Sequence, residues 1–235
     1  MKKVNAISFD ADGTLFGTFT NSKCGFETFF LEAARSHGVN ATLETLAPIL
    51  SETQKAILAR REAGFKPFVS EESNREHWLW LYQRVFTALS LPNPHLLASE
   101  YIERYESCEF SSLYPDTIPC LKALAAKKIP MIIISNFSDV LQKFLTKFEI
   151  VSYFKKIIVS GHTGFEKPDP EIFELGAKAL GLPAHEILHI GNDLDEDYNA
   201  AINAGFQALL LDRESRYNAL AVPKIKSLNE LQNKF

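Results

Sequence analysis

The chain has 235 residues, 46% of them hydrophobic and 23% charged, enough to bury a full core with a globular balance of side chains. A disordered, collagen-like or coiled-coil chain is excluded. Twenty-five Lys and Arg against 29 Asp and Glu leave a net charge of −4, which argues against binding nucleic acid or an anionic membrane by bulk charge.

Ala6-Ile7-Ser8-Phe9 is a short apolar run that ends at Asp10 and reads as a buried strand. From about Thr18 to Tyr105 the pattern is helical. Phe26, Phe29, Phe30, Ala33 and Ala34 form an amphipathic stripe that stops at His37-Gly38. A second helix is expected over Leu43 to Glu62. A third carries Trp78, Leu81, Tyr82, Val85 and Phe86 and is broken by Pro92-Asn93-Pro94; a fourth follows to about Tyr105. Trp78 and Trp80, two apart, are expected to point one to the core and one outward. Lys23, Arg60, Arg61 and Lys66 read as solvated charges.

After Pro115 short strands alternate with helices. Met131–Ile134, Ile157–Val159, Ile187–Ile190 and Ala208–Leu211 read as buried parallel strands; Asp139–Phe148, Pro170–Leu180 and Asp195–Ala204 read as the helices between them. A lone N-terminal strand cannot bury both faces, so it joins that sheet. The expected fold is therefore α/β: a Rossmann-like parallel-sheet core of residues 1–17 and 106–235, with an inserted all-helical domain of residues 18–105.

Cys24, Cys108 and Cys120 are an odd set without metal or redox spacing, and read as idle thiols in a reducing compartment. The start, Met1-Lys2-Lys3-Val4, reaches Asp10 before any signal-length apolar run builds, and no run approaches a membrane span. A cytoplasmic protein is expected.

Open parallel sheets bind ligands beyond the carboxyl ends of their strands. There the sequence places Asp10-Ala11-Asp12-Gly13-Thr14, then Ser135-Asn136, then Lys167-Pro168-Asp169-Pro170, and then Gly191-Asn192-Asp193 with Asp195 and Asp197. Acidic groups from two loops suit Mg²⁺, a hard cation that takes few protein oxygens. Ser135 and Lys167 could hold a phosphoryl group. One carboxylate could attack as nucleophile while a second, two residues on, exchanges protons with leaving group and water. Among the histidines, His189 reads as a satisfied core residue and His162 as a weak candidate for substrate contact. Asp195 and Glu196 read as acids complementing a helix N-terminus.

These four motifs, in order and each after a strand, resemble those of the haloacid dehalogenase-like (HAD) hydrolase superfamily, helical-cap subfamily I, and most closely its REG-2-like branch. The resemblance implies a Mg²⁺-dependent phosphatase acting on a small phosphorylated metabolite. It makes Asp10 the nucleophile, Asp12 the general acid/base with its carbonyl toward the metal, and Lys167 the charge-neutralising cation. Ser135, the backbone N–H of Asn136, and Thr14 would serve the phosphate and its loop. Asp197 would orient Lys167 or a metal-bound water, and the insertion would be the cap. The metal set implied is Asp10, Asp12, Asn192, Asp193 and Asp197. The family's dehalogenases lack an acid at the Asp12 position, and its phosphonoacetaldehyde hydrolases carry a small residue there; a phosphomutase would keep it.

One position departs from the pattern. The family's fourth motif usually reads Gly-Asp, and this chain has Gly191-Asn192. Either the Asn192 carbonyl oxygen coordinates, more weakly than a carboxylate, or Asp193 does. A binding or regulatory protein on a weakened hydrolase scaffold is the alternative this departure raises. Neither nucleic acid nor membrane is an expected partner; a monomer or a homodimer is.

Overall fold

Strands form where aliphatic residues crowd together, and helices where apolar residues recur at three and four positions. The computed structural model describes residues 3–20, 23–24 and 26–234, apart from the side chains of 18–26 and 233. In chain order these are β1 (Ala6–Phe9), β2 (Phe16–Thr20), β3 (Lys23–Cys24), α1 (Phe26–Ser36), α2 (Leu43–Glu62), α3 (Glu71–Ala88), α4 (Pro94–Glu106) and β4 (Ser111–Leu113). Then follow α5 (Thr117–Ala126), β5 (Met131–Ser135), α6 (Val140–Lys147), β6 (Lys156–Val159), α7 (Ser160–Thr163), α8 (Pro170–Leu180), β7 (Ile187–Gly191), α9 (Ala200–Asn203), β8 (Gln207–Leu211) and β9 (Lys224–Ile225). The chain divides into two compact units: residues 1–16 with 113–235, the sheet unit, and residues 17–112, the helical unit. The side chains of Lys23 and Cys24 and the segment Met1-Lys2 lie outside the described residues.

The sheet unit holds six strands in the order β6-β5-β1-β7-β8-β9, every neighbouring pair parallel. Every residue of β1, β5 and β7 is buried, which explains why these strands read as continuous apolar runs rather than alternating ones. Ile172, Phe173 and Leu180 of α8 cluster with Ile132, Ile134 and Ile158 of the sheet. Phe16 meets Phe137, Phe144 and Phe148 at ring separations of 6.2, 5.4 and 5.5 Å. Phe9 lies in register with Ile133 on one side and Ile190 on the other, so β1, β5 and β7 end at one edge. The strand order reverses at β1, with β5 and β6 to one side and β7 to β9 on the other. That reversal is where open α/β sheets form their ligand crevice.

The helical unit packs α1 to α4 around rings. Phe29 touches Phe30, Tyr82, Tyr101 and Phe110 with centroids 5.1–5.4 Å apart, mostly edge to face. Thr42 with Thr45 caps the start of α2, and Ser70 with Ser73 caps α3, each pair bonding reciprocally between side chain and backbone. Cys108 and Cys120 are buried, and burial pushes the Cys120 thiol up to about 12, well away from reactivity.

Several expectations change. Residues 18 onward do not begin helical: Phe19 and Thr20 pair antiparallel with Cys24 and Lys23, and β4 completes a small three-stranded sheet. The aromatic and threonine content of Phe16–Thr20 is strand-like, but the segment is too short to show a period. Trp78 and Trp80 are both half-buried against the same aromatic core, because the turn of helix between them is covered on both sides. Arg60 is not a solvated charge. Its guanidinium lies 4.0 Å from the Phe65 ring centre and 4.6 Å from that of Trp80, and pairs with Glu76 at 2.6 Å. The helix expected over Asp195–Ala204 is instead a wide π turn, Leu194–Asn199, followed by α9. Among the described residues no helix is long and apolar enough to cross a membrane.

Candidate active site

Asp10 leaves β1 by donating its N–H to the Ile190 carbonyl at 2.9 Å, and the chain then folds back sharply. The Ala11 carbonyl accepts from the Leu15 N–H at 2.8 Å, and the Phe16 carbonyl from the Gly13 N–H at 2.7 Å. Gly13 has φ +80°, and a Cβ there would stand 2.6 Å from the Asn192 amide, so only glycine suits the turn. The turn buries Asp10 and Thr14 and leaves Asp12 exposed. The Thr14 hydroxyl lies 3.3 Å from Asp10 Oδ2 and 3.1 Å from Asn192 Oδ1, which places the Asn192 amide on the Asp10 side of the loop.

Arg213 braces this loop from the end of β8. It donates to the Thr14 carbonyl at 2.9 Å, grips Asp116 with two N–H groups at 2.8 and 2.9 Å, and stacks 4.0 Å from the Tyr114 ring centre. The sequence reading missed it. Its signal is positional, since Asp212-Arg213 follows a strand as the other site loops do.

Lys167, 2% exposed, reaches Asp10 Oδ1 at 2.8 Å and Asp197 Oδ1 at 2.5 Å. The Ser135 hydroxyl donates to the same Asp10 oxygen at 3.1 Å. Asn136 grips the Lys167 backbone with its side chain: the amide oxygen accepts the Lys167 N–H at 2.7 Å, and the amide nitrogen donates to its carbonyl at 2.8 Å. Glu196 accepts from that same amide nitrogen at 3.0 Å, so it faces Asn136 rather than merely complementing a helix end.

The π turn explains the placement of the acids after β7. The Asp193 carboxylate accepts the N–H groups of Asp195 and Glu196, both at 2.8 Å, and is exposed. The Tyr198 N–H reaches back five residues to the Asp193 carbonyl at 3.1 Å. This widening lets Asp197 fold beneath Gly191, where a Cβ would stand 2.2 Å from the Asp197 carboxyl carbon. Asp197 Oδ2 accepts the Asp193 N–H at 2.9 Å, and His189 Nε2 lies 3.4 Å from Oδ1. His162 is exposed on α7.

Burial pushes the Asp10 carboxyl above its ordinary range, against the opposing pull of the Lys167 ammonium and with help from the Asp197 charge. Burial would also raise Asp197, but Lys167 and His189 outweigh it and hold that carboxyl well down. Burial works against the Lys167 ammonium, yet the two carboxylates beside it hold it above its usual value. One ammonium between two carboxylates leaves the buried cluster one charge negative. Asp10, the Asp12 turn and Asn192 present hard oxygen donors beside it, a set suited to a divalent cation such as Mg²⁺.

The haloacid dehalogenase-like hydrolase family matches residues 4–205, and the chain belongs to it. It is a hydrolase of that family. The chain is 27% identical over 219 residues to a glyceraldehyde 3-phosphate phosphatase of Methanothermobacter thermautotrophicus, covering 90% of this chain and 87% of that one. It is 26% identical over 220 residues to a ribulose-1,5-bisphosphate 5-phosphatase of Halopiger xanaduensis, covering 91% and 87%. The fold matches that of the HAD-hydrolase YfnB of Bacillus subtilis, solved with magnesium bound, at a TM-score of 0.77 and 20% identity, covering 99% of each chain.

Proposed function

We propose that the chain is a Mg²⁺-dependent phosphatase that hydrolyses a small phosphomonoester through an aspartyl-phosphate on Asp10. The observation that carries this reading is the setting of Asp10. It ends the central strand, held by Lys167 and Ser135 on one oxygen and Thr14 on the other, with the exposed Asp12 two residues away. The named activities of the two relatives, both on small sugar phosphates, support the substrate class.

In this mechanism one Asp10 oxygen attacks phosphorus while the ester oxygen departs. The Lys167 ammonium, the Ser135 hydroxyl and the Asn136 backbone N–H take the phosphoryl oxygens. Asp12 gives its proton to the leaving oxygen, then takes one from the water that attacks the aspartyl-phosphate. Inorganic phosphate leaves and both carboxyls return to their starting states. Mg²⁺, when bound by oxygens of Asp10, Asp12 and Asn192, supplies positive charge against the phosphoryl group. Asp193 and Asp197 are assigned other work, because Asp193 caps the π turn and Asp197 holds Lys167. The helical unit is assigned the role of the family's cap.

The test is phosphate release from an aryl phosphate and a panel of sugar monophosphates, with Mg²⁺ and with EDTA. Mg²⁺-dependent release is expected, falling by at least about 10³-fold in Asp10→Asn. Release that survives Asp10→Asn, or none from any substrate, overturns the reading. Asn192 favours a second reading, a binding protein on a weakened scaffold, because an amide lowers the charge offered to a cation. A melting temperature that millimolar Mg²⁺ leaves unmoved would support it.

A further inference from the structure

His189 lies in the middle of β7, its side chain fully buried, directly opposite Ser8 of β1 in the strand register. A hydroxyl and an imidazole at facing positions of the two central strands break the apolar pattern of this sheet. Burying such groups is unfavourable unless they are hydrogen-bonded. Here the Ser8 Oγ and His189 Nδ1 are 2.8 Å apart, Nε2 points at Asp197 Oδ1, and Phe173 packs edge-on against the ring with centroids 5.2 Å apart. We propose that Ser8 and His189 form a positioning pair for the reaction, holding the Asp197 carboxylate so that it aims Lys167 at Asp10. The inference deepens the phosphatase reading and rests on it.

The donor logic gives the pair a direction. An ionised carboxylate only accepts, so His189 must donate through Nε2–H to Asp197. In the neutral ring Nδ1 then carries the lone pair and accepts from the Ser8 hydroxyl, which favours this tautomer. Three donors fix the plane of the Asp197 carboxylate: Lys167 and His189 on Oδ1 and the Asp193 N–H on Oδ2. Without the imidazole, Oδ1 keeps only the Lys167 ammonium and the Asp193 N–H alone anchors Oδ2, so the carboxylate and Lys167 can shift together relative to Asp10. His189 touches neither the reacting atoms nor the phosphoryl pocket, so it is a positioning residue rather than a catalytic one.

The test compares His189→Phe, which keeps the ring and loses both nitrogens, with His189→Gln, whose amide N–H can reach the Nε2 position. In phosphate release, His189→Phe is expected to lower kcat by about 10–100-fold with KM within about threefold of wild type. His189→Gln should recover most of the loss. Ser8→Ala should cost less, and adding it to His189→Phe should cost nothing more, since the two act through one contact. Full kcat in His189→Phe, or equal impairment of the Phe and Gln variants, overturns the proposal. An independent readout is the ¹⁵N spectrum of wild-type imidazoles: His189 is expected as the Nε2–H tautomer, with its Nδ1 resonance shifted in Ser8→Ala as the accepted hydrogen bond is lost. An Nδ1–H tautomer overturns the proposal whatever the kinetics. A wild type that releases no phosphate overturns the functional reading alone, and the tautomer then decides the positioning.

Discussion

In the sheet unit Ser8, Asp10, Thr14, Ser135, Lys167, His189 and Asp197 are all buried, and each is hydrogen-bonded to another of the set. The helical unit is built from rings packed mostly edge to face, and among its described residues the buried His77 has a ring nitrogen with no partner, as does Arg60 at one guanidinium nitrogen. Its His77 is wedged against Phe68, Trp78 and Trp80. The sheet unit thus links its site groups in one connected network, whereas His77 of the helical unit is held at Nδ1 by ring packing rather than by a hydrogen bond. A network fails as a whole when one member is removed, whereas a packed polar group fails when it must charge.

The largest effect on stability should come from Lys167→Met. It leaves Asp10 and Asp197 as uncompensated buried carboxylates, and an urea titration should show a loss of about 3–5 kcal/mol. Because burial has already raised the Asp10 carboxyl, Asp10→Asn added to that variant should recover part of the loss. A cost under about 1 kcal/mol would mean the cluster is held by its surroundings instead.

Next comes acid. Burial, then the charges of Arg60 and Arg61, lower the His77 pKa to about 4 from an ordinary 6.5. Between those values the unfolded chain binds a proton that the folded chain refuses, so stability rises with pH across this window. Lowering pH from 6.5 to 4 should cost about 3 kcal/mol through this group. His77→Phe should flatten that part of the pH–stability curve relative to wild type.

Gly191→Ala should cost about 1–3 kcal/mol, because its methyl would overlap the Asp197 carboxyl and displace it. It should also lower phosphate release, which separates this glycine from one needed only for a turn. The smallest effect is expected at the exposed Glu52–Lys55 pair on α2. Glu52→Gln should leave the melting temperature unchanged, since solvent and salt screen such a pair.

Much of this protein was determined by the sequence itself. The sequence places α2 over Leu43–Glu62 and α8 over Pro170–Leu180, the bounds the structure has, and the structure adds the Thr42 cap of α2 and the left-handed Gly181 that closes α8. The apolar runs of β1, β5, β7 and β8 mark strands buried on both faces, and a parallel sheet then carries Asp10, Ser135 and Gly191 to one edge. These are local signals joined by one topological rule. The tertiary structure alone decided which polar atoms meet. Asn136 clasps the backbone of Lys167 31 residues away, and Arg213 reaches the Thr14 carbonyl across 199. His189 faces Ser8 only because the two strands pair in one particular register. The π turn, which turns Asp193 to its own backbone and Asp197 toward Lys167, likewise escaped the helical pattern. Such contacts depend on register and on approaches measured in tenths of an ångström, whereas composition and periodicity report only on neighbours along the chain.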